Sequence, residues 1–330
     1  MFKNKRCAPS QNMVNWGKVG CRLNRVEDKV DLGRQGQDIE AKKTATTILK
    51  GGGEMEIRYS ADDVRYQRMD TDELRSSFLI NNLFQTNEIT LLYSDIDRVI
   101  VGSAAPVKQK LTLSSAEELA AEYFTQRREV GVINVGERGK ITVDGKEFPM
   151  EHRDGLYVGR GSRVIEFESA SQDSPALFYF LSYPAHSDFP TVHIEAATVE
   201  SVHLGSLEQS NERTIRKYIH PGGAQSCQLV MGCTELAKGS VWNTMPVHTH
   251  ERRMEVYFYF NLPDEGLVFH FMGKPTATRH IVLRNREAVI SPSWSIHSGA
   301  GTSNYTFVWG MGGENQEFGD MQHSDMGKLK

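Results

Sequence analysis

Short runs of apolar residues, separated by glycine, aspartate and asparagine, follow one another along the chain from residue 55 onwards. Apolar runs of this length between turn-forming residues predict β-strands joined by tight turns. Many short strands at regular spacing favour a sandwich or barrel, so we expect a fold dominated by β-structure. The predicted strands cover residues 89–93, 98–101, 130–135, 141–143, 156–158, 164–167, 176–181, 228–231, 255–260, 267–272, 280–283, 288–290 and 305–309.

Two patches predict helices instead. Asp70 is followed three residues later by Glu73, and Ser115 is followed three residues later by Glu118. This spacing is typical of a capping box, in which the two side chains satisfy free backbone N–H groups at the start of a helix. We therefore expect a few short helices among the strands.

Three histidines and one glutamate in the second half form a candidate metal site. Side chains alternate along a strand, so His248 and His250 lie on one side and can reach one ion. Glu255 has the opposite parity and reaches that ion only if a turn or bulge falls within residues 251–253. His297, in a Pro-x-Trp-x-x-His segment, supplies a third imidazole. From the residues alone, zinc, iron, manganese, nickel and copper suit this set about equally.

The residues around these side chains resemble the two cupin motifs, in which His-x-His, a glutamate and a distant histidine ligate a divalent metal inside a jelly-roll barrel. Residues 242–260 and 290–299 are moreover similar to the 5-keto-4-deoxyuronate isomerases, a family within the cupin superfamily. The similarity runs from about residue 55 to the C-terminus and includes residues 97–102, 127–134 and 309–311.

This resemblance implies a metal-dependent ketol-isomerase made of two tandem cupin-like jelly-roll barrels. It implies one zinc ion per chain, held by His248, His250, Glu255 and His297, and assembly into a homohexamer. The implied reaction converts 5-dehydro-4-deoxy-D-glucuronate to 3-deoxy-D-glycero-2,5-hexodiulosonate, a step in the use of unsaturated uronates from pectin. A metal with open positions suits this step because it polarises a carbonyl and stabilises the neighbouring enediolate.

The chain divides into three expected parts. Residues 1–54 are expected to be an N-terminal extension that forms no domain, 55–200 a degenerate cupin-like domain without metal, and 201–330 a metal-binding cupin domain. Glycine-punctuated hairpins within residues 136–161 are typical of a cupin barrel, but this half has no His-x-His pair. His152 stands alone there, and we expect it in a loop or an interface.

The first 54 residues differ in charge from the rest, with 11 Lys+Arg against 6 Asp+Glu. A basic segment can bind nucleic acid, but nothing aromatic or repetitive accompanies this charge, so we expect no nucleic-acid partner. Residues 50–54 read like a translated ribosome-binding site in front of Met55. We therefore interpret residues 1–54 as an upstream extension without a packed core, which we expect to be disordered.

Composition limits the class of protein further. Charged residues make up 24% and hydrophobic residues 39% of the 330, which is typical of a globular chain. No apolar stretch approaches the roughly 18 residues of a membrane-spanning helix, and the start lacks a secretory signal, so we expect a cytoplasmic protein. Cys7, Cys21, Cys227 and Cys233 are too few and too irregularly spaced for a disulfide framework. We expect the last two to be small apolar strand residues.

Candidates for the proton-transferring group are weaker than the metal ligands. Glu251 lies next to the histidine pair, although its parity favours a solvated turn. His270 and His280 lie on predicted strands of the same half, where hydrogen-bonded core histidines are the plainer interpretation.

The carboxylate of a uronate calls for a guanidinium partner. Arg253 shares its parity with Glu255 and is the first candidate, with Arg252 second. Tyr257 and Tyr259 also share that parity and can donate to substrate hydroxyls, with simple core packing as the alternative.

Two other functions use the same ligand set. An iron-dependent cupin dioxygenase would bind iron and consume oxygen, and a sugar-binding cupin would bind its ligand without turnover. The fold alone does not separate these from an isomerase, because one barrel hosts many chemistries.

Overall fold

A computed structural model describes residues 55–330, and the predicted extension 1–54, with Cys7 and Cys21, lies outside the described residues. The first half contains β1 (Glu56–Arg58), α1 (Thr71–Phe78), β2 (Leu79–Ile80), β3 (Ile89–Ser94), β4 (Ile100–Ala104), β5 (Leu111–Thr112), β6 (Arg128–Asn134), β7 (Gly139–Val143), β8 (Lys146–Met150), β9 (Gly155–Val158), β10 (Ile165–Ser169), β11 (Phe178–Pro184) and β12 (Val192–Ile194).

The second half contains β13 (Ser201–Leu204), β14 (Arg213–Ile219), β15 (Val230–Leu236), β16 (Trp242–Asn243), β17 (His248–Thr249), β18 (Arg253–Phe260), β19 (Val268–Lys274), β20 (Ala277–Leu283), β21 (Glu287–Ser291), β22 (Ile296–Gly301), β23 (Thr306–Gly313) and β24 (Gln322–His323). Short 3₁₀ turns cover Arg65–Arg68, Ile96–Arg98, Glu117–Leu119, Phe124–Gln126, Phe318–Asp320 and Met326–Lys328. The prediction of a mostly β chain with few short helices is confirmed. No helix among residues 55–330 is long and apolar enough to cross a membrane.

The strands form two pairs of sheets. Sheet I has seven strands in the order β1-β3-β4-β11-β6-β9-β12, and sheet II has four in the order β5-β10-β7-β8. Sheet III has seven strands in the order β13-β14-β15-β23-β18-β21-β2, and sheet IV has four in the order β16-β22-β19-β20. A separate two-stranded ladder joins β17 to β24.

Sheets I and III are apolar on both faces, so each of them packs against two neighbouring sheets. The four sheets therefore form layers. In β11, Phe178 and Phe180 belong to the core shared with sheet II, whereas Tyr179 and Leu181 belong to the core shared with sheet III. Strand β18 alternates in the same way between sheet I and sheet IV. Strands that are buried on both faces have continuous runs of apolar residues in their sequence, as β11 and β18 do.

One buried carboxylate links the two halves. Glu129 on β6 accepts hydrogen bonds from the backbone N–H groups of Cys227, Gln228 and Leu229 at 2.7 to 2.9 Å, and from the Tyr157 hydroxyl at 2.8 Å. Cys227 therefore lies in a loop bonded to this carboxylate and not in a strand, while Cys233 is a buried strand residue as expected.

The segment before β3 packs with the second half. Strand β2 pairs with β21 in sheet III, and the Tyr66 ring lies 4.7 Å from that of Trp294. A division at residue 200 therefore does not follow the sheets strictly. The division into domains stays a prediction.

The two predicted helix starts have different outcomes. Asp70 accepts a hydrogen bond from the Glu73 N–H at 2.8 Å, and α1 follows as predicted. The prediction of a helix after Ser115 is wrong, because only the 3₁₀ turn Glu117–Leu119 forms there. This turn ends at Ala120, which has φ of +46° and so leaves the helical region.

The last residues of the chain contact the strand that carries the histidine pair. His323 on β24 is the register partner of His248 on β17. Asp320 forms an ion pair of 2.8 Å with Arg253, whose side chain is 1% exposed. The Asn315 side chain and the Glu317 carbonyl also accept from Arg253. A buried guanidinium thus holds residues 315–320 against the start of β18.

Replacing Asp320 by asparagine tests this attachment. Asp320→Asn removes the charge that neutralises the buried Arg253, so we expect unfolding free energy to fall by about 1–3 kcal/mol. Amide hydrogen exchange in residues 314–330 should accelerate. Glu314→Gln is the matched control, because its ion pair with Arg252 is exposed on both sides. Equal exchange rates in wild type and Asp320→Asn would contradict the attachment.

Candidate active site

Four side chains from three strands and the loop after β17 converge between sheets III and IV. The Nε2 atoms of His248 and His297 lie 3.0 Å apart. One carboxylate oxygen of Glu255 lies 2.9 Å from Nε2 of His297 and 3.1 Å from Nε2 of His250. All four residues are buried. The structure therefore brings together the histidines and the glutamate that the sequence singles out.

A turn between His250 and β18 makes this possible. Glu251 and Arg252 form the turn, and the N–H of Arg253 donates to the His250 carbonyl at 3.1 Å. The turn lies within the predicted residues 251–253 and turns Glu255 toward the histidines despite its opposite parity. His250 Nδ1 lies 2.8 Å from the Arg253 carbonyl, which can only accept. Nδ1 therefore carries a proton, so in the neutral imidazole Nε2 has the lone pair and can bind a metal ion.

The electrostatics of the cluster combine burial with mutual attraction. Burial disfavours the charged form of Glu255, but the neighbouring His297 and His250 outweigh it and hold the pKa of that carboxyl well below its usual range. Burial, together with the nearby His297, lowers the pKa of His248 to about 3. The cluster thus presents an ionised carboxylate beside a histidine that stays neutral at pH 7.

This donor set fits a divalent metal ion. The donor atoms of His248, His250 and His297 all lie within 4.8 Å of one another. Neutral imidazole nitrogens and a carboxylate oxygen are the ligands of many zinc and other transition-metal sites. Within residues 55–330 no other group of three metal-ligating side chains meets. His152, in the first half, is an exposed loop residue with Nδ1 2.8 Å from the Gly136 carbonyl.

A cavity of about 300 Å³ opens onto the cluster. This volume is at the lower end of the range for small-molecule sites. The lining includes His248, His250 and Glu255, the apolar side chains Ile215, Phe307, Trp309, Met311, Phe318 and Met321, and the polar side chains Arg213, Lys217, Thr234, Asn243, Thr244, Arg253, Tyr257 and His323.

The candidates for proton transfer lie outside this lining. Glu251 is exposed in its turn, and His280 is exposed on β20. His270 is fully buried on β19, where Nδ1 lies 2.8 Å from the Tyr259 hydroxyl and burial lowers the pKa of the imidazole to about 3. Tyr259 is a buried core residue. The catalytic roles of Glu251, His270 and His280 stay predictions.

The three candidates for substrate binding differ in whether they line the cavity and whether their charge is already paired. Arg253 lines the cavity, but Asp320 already neutralises its charge. Arg252 is exposed and pairs with Glu314 at 3.2 Å. Tyr257 lines the cavity, with its hydroxyl 3.2 Å from the Thr244 hydroxyl.

Sequence reasoning missed several polar groups of the cavity. Arg213, Ile215 and Lys217 occupy every second position of β14 and lie on one face of the strand. This pattern is visible in the sequence once the strand is known. His323 follows no periodic run, and it enters the cavity through the pairing of β24 with β17. No local pattern signals that contact.

Comparison with known proteins confirms the family expected from sequence. The KduI/IolB family matches residues 79–326. A 4-deoxy-L-threo-5-hexosulose-uronate ketol-isomerase of Lachnoclostridium phytofermentans is 56% identical over 276 residues, which are 84% of this chain and the full length of that relative. Isomerases of the same name from Caldicellulosiruptor bescii and Escherichia coli K12 are 52% and 51% identical, cover 84% and 82% of this chain, and are themselves matched over 100% and 98% of their length.

Solved structures share the fold at low sequence identity. An IolB-like protein from Salmonella typhimurium superposes with a TM-score of 0.57 at 15% identity, covering 68% of this chain and 87% of its own. Protein Ylba from Escherichia coli gives 0.50 at 11% identity, covering 72% and 88%. With the match over residues 79–326 and relatives above 50% identity, the chain belongs to the KduI/IolB family.

Proposed function

We propose that this chain isomerises 4-deoxy-L-threo-5-hexosulose uronate at the cavity between sheets III and IV. The observation that carries the proposal is the meeting of three imidazoles and a carboxylate, of which His248, His250 and Glu255 line that cavity. The names of relatives above 50% identity over more than four fifths of the chain support the same reaction. An aldose becomes a ketose in this step, as a proton moves between the first two carbons.

The proposed ligands of a divalent metal ion are His248, His250, Glu255 and His297. Zinc is the ion that the resemblance to cupin isomerases implies, and the nitrogen-rich set suits it. When bound, such an ion polarises a carbonyl and stabilises the enediolate next to it. The Arg253 carbonyl fixes the tautomer of His250 and so keeps its Nε2 available.

The chain's own side chains prepare the rest of the cavity. Burial raises the pKa of Tyr257 well above its ordinary value, so its hydroxyl remains protonated and can donate to a substrate oxygen. Thr244 adds a second hydroxyl beside it. Phe307, Trp309 and Phe318 make one wall apolar and exclude water from the reacting carbons. A homohexamer and a cytoplasmic location stay predictions.

Metal binding is tested by His297→Ala. Removing one imidazole should abolish stoichiometric zinc binding, because the remaining three donors lose the side chain that contacts both His248 and Glu255. Calorimetric titration with zinc and elemental analysis measure this loss. His280→Ala, on an exposed histidine of β20, is the control and should keep one ion per chain. Undiminished zinc binding by His297→Ala would refute the proposed ligand set.

Turnover is tested with zinc-loaded wild type and freshly prepared 4-deoxy-L-threo-5-hexosulose uronate, followed by NMR in deuterated water. We expect the ketose product, with deuterium at the carbon that was the aldehyde carbon of the substrate if the proton exchanges with solvent. His297→Ala should lower the rate by at least about 100-fold, as expected for loss of a group that stabilises developing charge. No product from zinc-loaded wild type would contradict the isomerase. Bound iron with oxygen consumption would then favour a dioxygenase.

A further inference from the structure

We propose that Arg213 binds the carboxylate of the substrate and thereby selects uronates over neutral sugars. This inference rests on the proposed isomerase function and assigns the acid end of the substrate to one side chain of the same cavity. It departs from the sequence-based preference for Arg253.

The position of Arg213 follows from strand alternation. Arg213 begins β14, next to the edge strand of sheet III, and pairs with Leu204 on one side and Leu236 on the other. Arg213, Ile215 and Lys217 all line the cavity, since every second residue of a strand points the same way. Arg213 therefore shares one small cavity with three of the four proposed metal ligands, His248, His250 and Glu255.

Three cationic side chains line the cavity, Arg213, Lys217 and Arg253. They differ in whether a carboxylate already neutralises them. Arg253 has Asp320 at 2.8 Å, and Lys217 has Glu200 at 3.5 Å. Arg213 forms no ion pair with any residue in 55–330. Its Nη1 donates to the Asn211 carbonyl at 2.9 Å, and its buried Nε has no hydrogen-bond partner among these residues.

An unpaired guanidinium at a partly buried site is an incomplete ion pair. Burial lowers the pKa of Arg213, which remains protonated because an arginine is charged throughout the physiological range. A carboxylate would supply the missing acceptor for Nε and the compensating charge. Arginine suits this role because its planar fork can bind both carboxylate oxygens.

The arrangement of the cavity then sets the orientation of a bound uronate. Arg213 comes from β14, whereas His248, His250 and Glu255 come from β17, β18 and the loop between them. With its carboxylate on Arg213, the substrate can place its carbonyl end toward the histidines.

Steady-state kinetics of zinc-loaded Arg213→Met tests the proposal. We expect KM for the uronate to rise roughly 10- to 100-fold, the range for a lost charge-assisted hydrogen bond, with a much smaller change in kcat. Arg213→Lys should recover part of the affinity because it keeps the charge without the fork. Arg216→Met is the matched control on the same strand, since Arg216 pairs with Glu235 and does not line the cavity. Unchanged KM in Arg213→Met would overturn the proposal.

Direct binding separates this inference from the isomerase itself. Saturation-transfer NMR with D-glucuronate and D-glucose as probes measures carboxylate selection without turnover. Wild type should prefer D-glucuronate, and Arg213→Met should lose that preference while keeping its zinc content and thermal midpoint. The same preference in both proteins would overturn the role of Arg213, even with an active isomerase. Selection lost only in Arg213→Met would support that role even if wild type showed no turnover.

Discussion

The structure depends on a buried carboxylate held between two imidazoles. Glu255 comes from sheet III and His297 from sheet IV, so their 2.9 Å contact requires the two sheets to close on each other. Burying an ionised carboxylate without partners would cost several kcal/mol, and the neighbouring imidazoles offset that cost. The packing of sheets III and IV and the arrangement of the cluster therefore depend on each other.

The outer layers keep that cluster in place. Sheets I and III pack through apolar side chains on their facing sides, and Glu129 binds three consecutive backbone N–H groups of the second half. On the other side, Arg253 and Asp320 hold the end of the chain next to the histidine strand. A polar site in the interior is thus built on strands fixed from both faces, which favours precise positioning of its side chains.

Local patterns predicted thirteen of the twenty-four strands in residues 55–330 and predicted the long-range contacts poorly. Strand periodicity and the parity of His248, His250 and Glu255 required a turn near residue 252, and the turn is there. The capping box at Asp70 opens a helix, whereas after Ser115 only a 3₁₀ turn forms, which ends at Ala120 with φ of +46°. Because Arg253 shares its strand parity with Glu255, the sequence predicted that Arg253 lies in the site. It could not reveal that Asp320, far along the chain, forms an ion pair with Arg253 and neutralises its charge. Arg213 lay in a strand that the apolar pattern did not mark, since its polar residues alternate with few large apolar ones.

X-ray absorption at the zinc edge of the loaded protein tests the metal centre most directly, because it reports the atoms bound to the ion in solution. Three imidazoles at about 2.0–2.1 Å and at least one oxygen at about 2.0–2.2 Å are expected. Imidazole scattering from fewer than three histidines, or a shell with sulfur, would contradict a centre built from His248, His250, Glu255 and His297.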